Sequence, residues 1–529
     1  MITDRRTFLK QLGWGAGALG FVTFSPTAWG ASLVHRNLPR SSPEAQGVRS
    51  EGILQFLDAL ASSKHEFHSF MMARHGHVIA EGWWSPYRAE LNHMLYSLSK
   101  SFTSTAVGFA KSEGKLSVED PIISFFPDKL PDSVSENLRA LKIKDLLTMS
   151  VGHAHDSTPS ITKEEDWVKA FLALPIANQP GTAFLYNSGA TYMLSAIVQK
   201  VTGLKVIDYL TPRLFAPLEI TGMTWETCPK GINTGGWGLS VPTEALAKFG
   251  QFYLQKGAWN ERQLLPAEWV QEATSFKIQQ PGSDLEKQKR ESDWHQGYCY
   301  QFWRCRHNAF RGDGAFGQFT VVLPEQDAVI AITSESPNMQ EELNLVWEHV
   351  WPAIQPSALP ANKATAEELK HRLHSLALES PKGSTLSPSA ARISGKAFAI
   401  NPNDKGVQSV AFRFGKRDGT FTLTDAQGIY PVNFGLEHWV EGETTMPGTP
   451  PKITVQKGTI RSRIAASGTW KDDQTLELIW RFTETPHHDT VTCRFEEDRV
   501  KVEFMNSITG LSSSHKETRS PLEGKLQTV

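Results

Sequence analysis

The sequence predicts a layered α+β domain, an antiparallel sheet flanked by helices in the manner of an α/β sandwich, followed by a smaller all-β domain. Three observations carry this. Residues 31–355 run strands, then helices, then strands again, the order that places helices on an antiparallel sheet. A proline-, serine- and alanine-rich stretch then interrupts the pattern. Beyond Ile393 the helical texture disappears, and short alternating runs are separated by turns such as Arg417-Asp418-Gly419.

The elements follow in order. Phe67–Trp84 reads as a hairpin, two apolar runs around a turn at His75-Gly76. Ser97–Lys111 reads as a helix that ends near Gly114. Lys144–Met149 and Ala190–Val201 also read as helices. Gly317–Leu323 and Ala328–Thr333 read as adjacent strands joined at Pro324-Glu325-Gln326-Asp327. In the linker, 356–392, Thr365 and Glu368 have capping-box spacing and open a short helix to about Leu378. Residues 393–510 read as a small barrel or sandwich, lipocalin-like if closed, with no chemical motif of its own. Residues 511–529 are polar and read as a disordered tail.

The first 30 residues read as a targeting segment, outside the fold. Arg5-Arg6-Thr7-Phe8-Leu9-Lys10 resembles a twin-arginine export signal. A short glycine-rich apolar stretch, Leu12 to Phe24, follows, and Ala28-Trp29-Gly30 puts small residues before a cleavage point at Ala31. The apolar stretch is shorter than the roughly 20 residues a bilayer needs, so no integral membrane segment is expected after signal removal. The expected location is periplasmic or secreted.

Composition excludes several functions. The chain has 529 residues, 40% hydrophobic and 21% charged, with a formal net charge of −2. Nothing there is an electrostatic footprint for nucleic acid. Four cysteines, Cys228, Cys299, Cys305 and Cys493, contain no Cys-x-x-Cys pair, which speaks against a zinc ribbon. Twin-arginine substrates fold in a reducing cytoplasm, so mostly free thiols are expected. Cys299 and Cys305 could meet only across a tight turn, because an extended strand would hold them ~20 Å apart.

Ser-x-x-Lys occurs four times, at Ser97/Lys100, Ser112/Lys115, Ser160/Lys163 and Ser513/Lys516. The pattern matters because a serine hydroxyl needs an adjacent base, and helix positions i and i+3 share a face. A lysine serves as that base when burial lowers its pKa. Ser112 falls where a helix ends and faces solvent. Ser160 lies in a polar loop that caps the next helix, and Ser513 lies in the tail. Only Ser97 follows an apolar approach, Met94-Leu95-Tyr96, and opens a helix whose N-terminal N–H groups favour a developing oxyanion.

"YSLSKSFTS" resembles the active-site signature of the serine β-lactamase and penicillin-binding-protein superfamily. It is closest to the class C-like branch with its esterases, D-aminopeptidases and 6-aminohexanoate-dimer hydrolases. Ile143–His153, Pro180–Gly203, Asn233–Gly257 and Arg311–Asp327 resemble further blocks of that branch in the right order, so the likeness covers about residues 40–355. The resemblance implies a β-lactamase-like fold and a catalytic set. Ser97 would be the nucleophile, Lys100 the general base and Tyr186 the second acid/base group. The backbone N–H groups of Ser97 and Ala315 would form the oxyanion hole.

Two departures qualify it. The family's Tyr-x-Asn motif reads Tyr186-Asn187-Ser188. The Lys-Thr-Gly or His-x-Gly motif reads Gly312-Asp313-Gly314, without the lysine that commonly supports a penicillin carboxylate, and this disfavours an efficient β-lactamase. Ser188, Asp313, Gly314 and Trp237 are weaker substrate-binding candidates, and Arg311 either supplies a nearby charge or faces solvent. Trp83, Trp84, Tyr87 and Trp237 either line the cleft or belong to the core. His153-Ala154-His155-Asp156 and His487-His488-Asp489 read as loop residues, and neither a metal nor another cofactor is expected. The expected activity is an exported serine hydrolase that cleaves a small ester or amide through an acyl-enzyme. The alternatives are a penicillin-binding or sensor protein that is acylated with little turnover, and a β-lactamase. The oligomeric state is left open.

Overall fold

The computed structural model describes residues 37–450, 461–511 and 516–527. The twin-arginine segment and Ser513 lie outside the described residues. Asn37–Val529 clusters as one compact unit.

Six antiparallel strands form the first sheet: β1 (Glu66–Arg74), β2 (His77–Trp83), β3 (Trp303–Arg304), β4 (Phe310–Gly314), β5 (Gln318–Leu323) and β6 (Ala328–Glu335), in the order β2-β1-β6-β5-β4-β3. β1 pairs with β6, the last strand of this sheet, Phe70 opposite Ile332 and Met72 opposite Ile330, so the sheet is complete only once residue 335 is in place. Both faces are buried. Phe70, Met72, Val321, Ile330 and Ile332 pack into one core, and Met71, Ala73, Val322 and Ala331 point into the other. Strands buried on both sides read as near-continuous apolar runs, which is how Gly317–Leu323 and Ala328–Thr333 were legible.

Helix α1 (Ser50–Ala61) covers the first face. On the second, α2 (Ser99–Ser112) and α3 (Ser188–Thr202) pack beneath α4 (Thr243–Leu254). α4 approaches the sheet so closely that a Cβ on Gly250 would lie 2.4 Å from Val329 Cγ1. α5 (Met339–Leu345, wound on through Val350) and α6 (Lys363–His374) return to the α1 side. α6 starts earlier than its sequence suggests. Its N-cap is Asn362, whose Oδ1 accepts from Thr365 N at 3.3 Å, and Asn outranks Thr as a cap. It also ends at His374, short of Leu378.

Beyond it, β7 (Lys396–Ile400), β8 (Val407–Phe414), β9 (Asp418–Asp425) and β10 (Ile429–Leu436) form one meander. After β11 (Val440–Thr444), a second meander runs through β12 (Ser462–Trp470), β13 (Thr475–Arg481), β14 (His488–Glu496) and β15 (Arg499–Asn506). Parallel pairing of Gly435 with Ser467 and Leu436 with Gly468 joins β10 to β12. The other gap is filled by β16 (Leu522–Leu526), which pairs with β7 and β15 and closes a nine-stranded barrel. Closure leaves no free edge among the nine barrel strands, while β11 pairs only with β12. Phe398, Phe412, Phe421, Trp470, Trp480 and Phe495 fill the interior.

β16 corrects the reading of 511–529 as a disordered tail. Only Leu522, Gly524 and Leu526 alternate inward there, too short a period-two signal to stand out from its polar flanks, and its stability comes from pairing on both sides.

Candidate active site

α2 is buried along nearly its whole length, although it carries Ser99, Lys100, Ser101, Thr103, Ser104 and Thr105. Small hydroxyls tolerate burial when the backbone accepts from them. Ser99 Oγ donates to Tyr96 O at 2.7 Å, Ser101 Oγ to Gln301 O at 2.8 Å, and Thr103 Oγ1 to Gly235 O at 2.9 Å. The helix is thereby fixed to a frame before its catalytic candidates are considered.

Ser97 lies just ahead of α2, on the 3-10 turn Tyr96–Leu98. Among Met94–Lys100 it alone keeps appreciable exposure. Tyr96 has φ 48°, a left-handed backbone, and so does Phe316 at φ 69°, the residue after Ala315. Each such non-glycine residue costs ~1–3 kcal/mol and persists only where the surroundings over-determine it.

Lys100 Nζ donates to Ser97 Oγ at 2.9 Å and to Gly236 O at 2.7 Å. The Gly235-Gly236 turn makes this possible. Gly235 is at φ 67°, and a Cβ on Gly236 would come 2.8 Å from Ser188 O. Lys100 is 2% exposed. Burial pulls its pKa down to about 7, against the opposing pull of the Asp156 and Asp313 carboxylates.

Tyr186 directly precedes Asn187, the N-cap of α3. Its hydroxyl is near enough to Ser97 for the serine to favour its ionised form slightly, and its ring lies 4.8 Å from Lys100 Nζ. Trp303 stacks on the ring at 5.8 Å and 20°. Burial, with Asp313 and Asp156, holds the phenol above its usual pKa, so Tyr186 is a neutral donor at rest.

Strand β4, next to the edge strand β3, runs against the Ser97 turn. A Cβ on Gly314 would be 2.0 Å from Leu95 O, and one on Gly312 would be 2.8 Å from Ser101 Oγ. This contact brings the Ala315 turn beside Ser97. Gln318 Nε2 donates to Ala315 O at 3.1 Å and Ser334 Oγ to Phe316 O at 2.8 Å, so the turn is held by its own sheet.

Other candidates sit differently from their sequence reading. Arg311 neither faces solvent nor offers a free charge. It is fully buried and grips Asp313 at 2.8 and 3.0 Å, so Asp313 is neutralised within the strand. Trp237 is 3% exposed and packs on Trp167 in the core. Ser188 N donates to Asp156 Oδ1 at 3.1 Å. Ser160 belongs to the short helix Thr158–Ile161, and the next helix is capped by Asp166. Asp156 is a participant that the sequence reading passed over, because it stood inside a histidine cluster weighed only as a metal site. His153 of that cluster is buried beside Asn187, with its pKa lowered to about 4 by burial. All four cysteines are buried and free.

The largest departure is in the barrel. His487 lies on the loop just ahead of β14, as its sequence suggests, but it is fully buried there, and His488 and Asp489 already belong to β14. The His487 Nε2 lies 2.5 Å from the Tyr96 hydroxyl and its Nδ1 2.6 Å from Glu335 Oε1. Glu66, Glu335 and His488 gather close enough to hold a cation. Arg481 occupies that charge position, gripping Glu66 with both terminal nitrogens.

The β-lactamase family model matches residues 67–353, more than half of the chain, and the chain belongs to that family. It is a serine hydrolase of the β-lactamase fold. It is 26% identical over 348 residues to the 6-aminohexanoate-dimer hydrolase of Paenarthrobacter ureafaciens, a match covering 61% of this chain and 86% of that one. It is 27% identical over 158 residues to the lovastatin esterase of Penicillium rubens, covering 25% of this chain and 39% of the esterase. Among solved structures, the octameric penicillin-binding protein homologue from Pyrococcus abyssi covers 89% of this chain and 99% of its own, at 14% identity and a TM-score of 0.45.

Proposed function

We propose that this protein hydrolyses a small ester or amide through an acyl-enzyme on Ser97. The observation that carries the reading is the 2.9 Å contact between Ser97 Oγ and a buried Lys100 with its pKa near neutrality. A lysine in that state is a base at neutral pH, and a serine in its reach is an activated nucleophile. The likeness to a 6-aminohexanoate-dimer hydrolase and to an esterase agrees with it.

In this scheme Ser97 Oγ attacks the carbonyl carbon as its proton passes to Lys100 Nζ. The oxyanion is received by the N–H groups of Ser97 and Ala315. The tetrahedral intermediate collapses, the bond to the leaving group breaks, and Tyr186 donates the proton that the departing atom takes up. Lys100 returns its proton to Tyr186. Water then attacks the ester at Ser97 by the same route in reverse. With Arg311 tied to Asp313, the third motif supplies no free cation for a penicillin carboxylate, which argues against a β-lactamase.

The test is labelling by a fluorophosphonate, mapped by mass spectrometry. The label should fall on Ser97 and vanish in Ser97→Ala, while Ser112→Ala and Ser160→Ala keep activity. A label on another serine refutes the assignment. Steady turnover of a p-nitrophenyl ester supports the hydrolase, and a stoichiometric burst alone would assign a sensor. Export by the twin-arginine route belongs to the same proposal, on the strength of Arg5-Arg6-Thr7-Phe8-Leu9-Lys10. Replacing both arginines by lysine should strand precursor in the cytoplasm, and unchanged export would remove that part.

A further inference from the structure

Ser97 and Ala315 are each chained to a residue with a left-handed backbone, Tyr96 before the one and Phe316 after the other. The two rings meet edge to face at 5.3 Å. Both also meet a third ring, the His487 imidazole, at 5.7 Å from Tyr96 and 4.8 Å from Phe316. That ring comes from the barrel, nearly four hundred residues along the chain from Tyr96.

His487 is held from behind. Its Nδ1 faces Glu335 Oε1, and the same carboxylate receives Ser507 Oγ at 2.5 Å and His488 Nδ1 at 3.1 Å. Burial raises the Glu335 carboxyl, but the histidine hydrogen bonds outweigh it and bring its pKa down to about 2. An ionised Glu335 can only accept, so Nδ1–H donates to it and Nε2 is left to accept from the Tyr96 hydroxyl. The segment that carries His487 is anchored too. Met94 N donates to Glu484 O at 2.9 Å, and the Tyr87 hydroxyl donates to Thr485 O at 3.1 Å. Barrel backbone thus pins the residues three positions before the nucleophile, and a barrel side chain pins the residue directly before it.

We propose that His487 of the C-terminal barrel is a positioning residue for the hydrolase site, clamping Tyr96 and Phe316 so that the nucleophile turn and the oxyanion turn keep a fixed spacing. The barrel is then a working part of the active site, and not an appendage. The inference rests on Ser97 being the nucleophile. It acts through geometry: removing the clamp lets two strained turns relax, and a shift of an ångström in a reacting group costs on the order of 100-fold.

The experiment compares the full-length protein with Tyr96→Phe, His487→Ala and the double variant. It reads the fluorophosphonate labelling rate constant at Ser97, kcat and KM for a p-nitrophenyl ester, and the folded fraction from thermal melts. Tyr96→Phe keeps the ring and deletes only the hydroxyl. The expected result, per folded molecule, is a fall of about 10-fold or more in labelling and kcat for each single variant. KM should change little, and the double variant should be no slower than His487→Ala alone. A purely structural contact would lower the folded fraction and leave the rate constant per folded molecule unchanged. That outcome overturns the proposal, as do effects that multiply independently in the double variant. If His487→Ala does not fold, Tyr96→Phe decides alone: wild-type labelling and kcat in that variant overturn the proposal. A wild-type protein labelled on another serine instead overturns the nucleophile assignment, and this inference with it.

Discussion

Lys100 Nζ stands 2.9 Å from Ser97 Oγ and 2.7 Å from Gly236 O, in a pocket that draws its pKa to about 7. Only the neutral amine can take the serine proton. Acylation should therefore rise with pH through about 7 and level off above it. Burial sets the direction of the shift, and the Asp156 carboxylate works against it. Asp156→Asn keeps an acceptor for Ser188 N but removes the charge, so the midpoint of the rate profile should move to lower pH. An unmoved midpoint, or one displaced upward, would show that Asp156 does not act electrostatically on Lys100.

The same lowered pKa has a stability consequence. An unfolded chain holds the Lys100 proton up to about 10.5, the folded chain only to about 7. Below pH 7 both carry it, and the folded state bears a buried ammonium. Between the two values the unfolded state binds more protons, so this group makes stability rise with pH. Lys100→Met should abolish activity and raise the melting temperature most at about pH 6, with the gain shrinking toward about pH 10. A gain independent of pH, or no gain at all, would mean that the ammonium is well solvated in the folded state.

How much of this was legible follows from distance along the chain. Ser97 and Lys100 share a helical turn, so spacing alone brought them together. Phe67–Trp84 and the strands after Gly317 were legible from their apolar runs. Asp156, Trp303 and the Arg311–Asp313 pair were not, because their meaning lies in what they face across the fold. His487 was the hardest. The period-two pattern begins at His488, so the residue before it looked like part of a turn, and its partners Tyr96 and Glu335 belong to another domain. β16 shows the converse: a weak local pattern became a strand because two neighbours needed one.

Glu66 and Arg481 join the sheet to the barrel. Arg481 is nearly buried, and Glu66 also meets His68 Nε2 at 3.1 Å. Breaking a buried pair by removing one partner costs ~3–5 kcal/mol, because the other charge is left uncompensated. Arg481→Met should thus lower the melting temperature strongly, and Glu66→Gln likewise. The Glu66→Gln/Arg481→Met double variant should be more stable than the sum of the single losses predicts. Additive losses in a double-mutant cycle would show that the two charges are solvated independently.

Tyr186 lies beside Ser97, and its ring is fixed between Lys100 and Trp303. Its phenol is held neutral by burial and by the nearby carboxylates, so it has a proton to give and little tendency to act as a base by itself. The value of that proton depends on the leaving group. An amide nitrogen cannot depart as an anion and must be protonated, whereas a nitrophenolate leaves unaided. Tyr186→Phe preserves the stack on Trp303 and deletes only the hydroxyl. It should depress amide hydrolysis by about 100-fold or more and p-nitrophenyl ester hydrolysis much less. Lys100→Ala, by contrast, should cost both substrates at least ~100-fold, because both need the serine deprotonated. Equal losses on ester and amide in Tyr186→Phe would assign the tyrosine to orienting Ser97, and proton delivery to the leaving group would have to come from Lys100 itself.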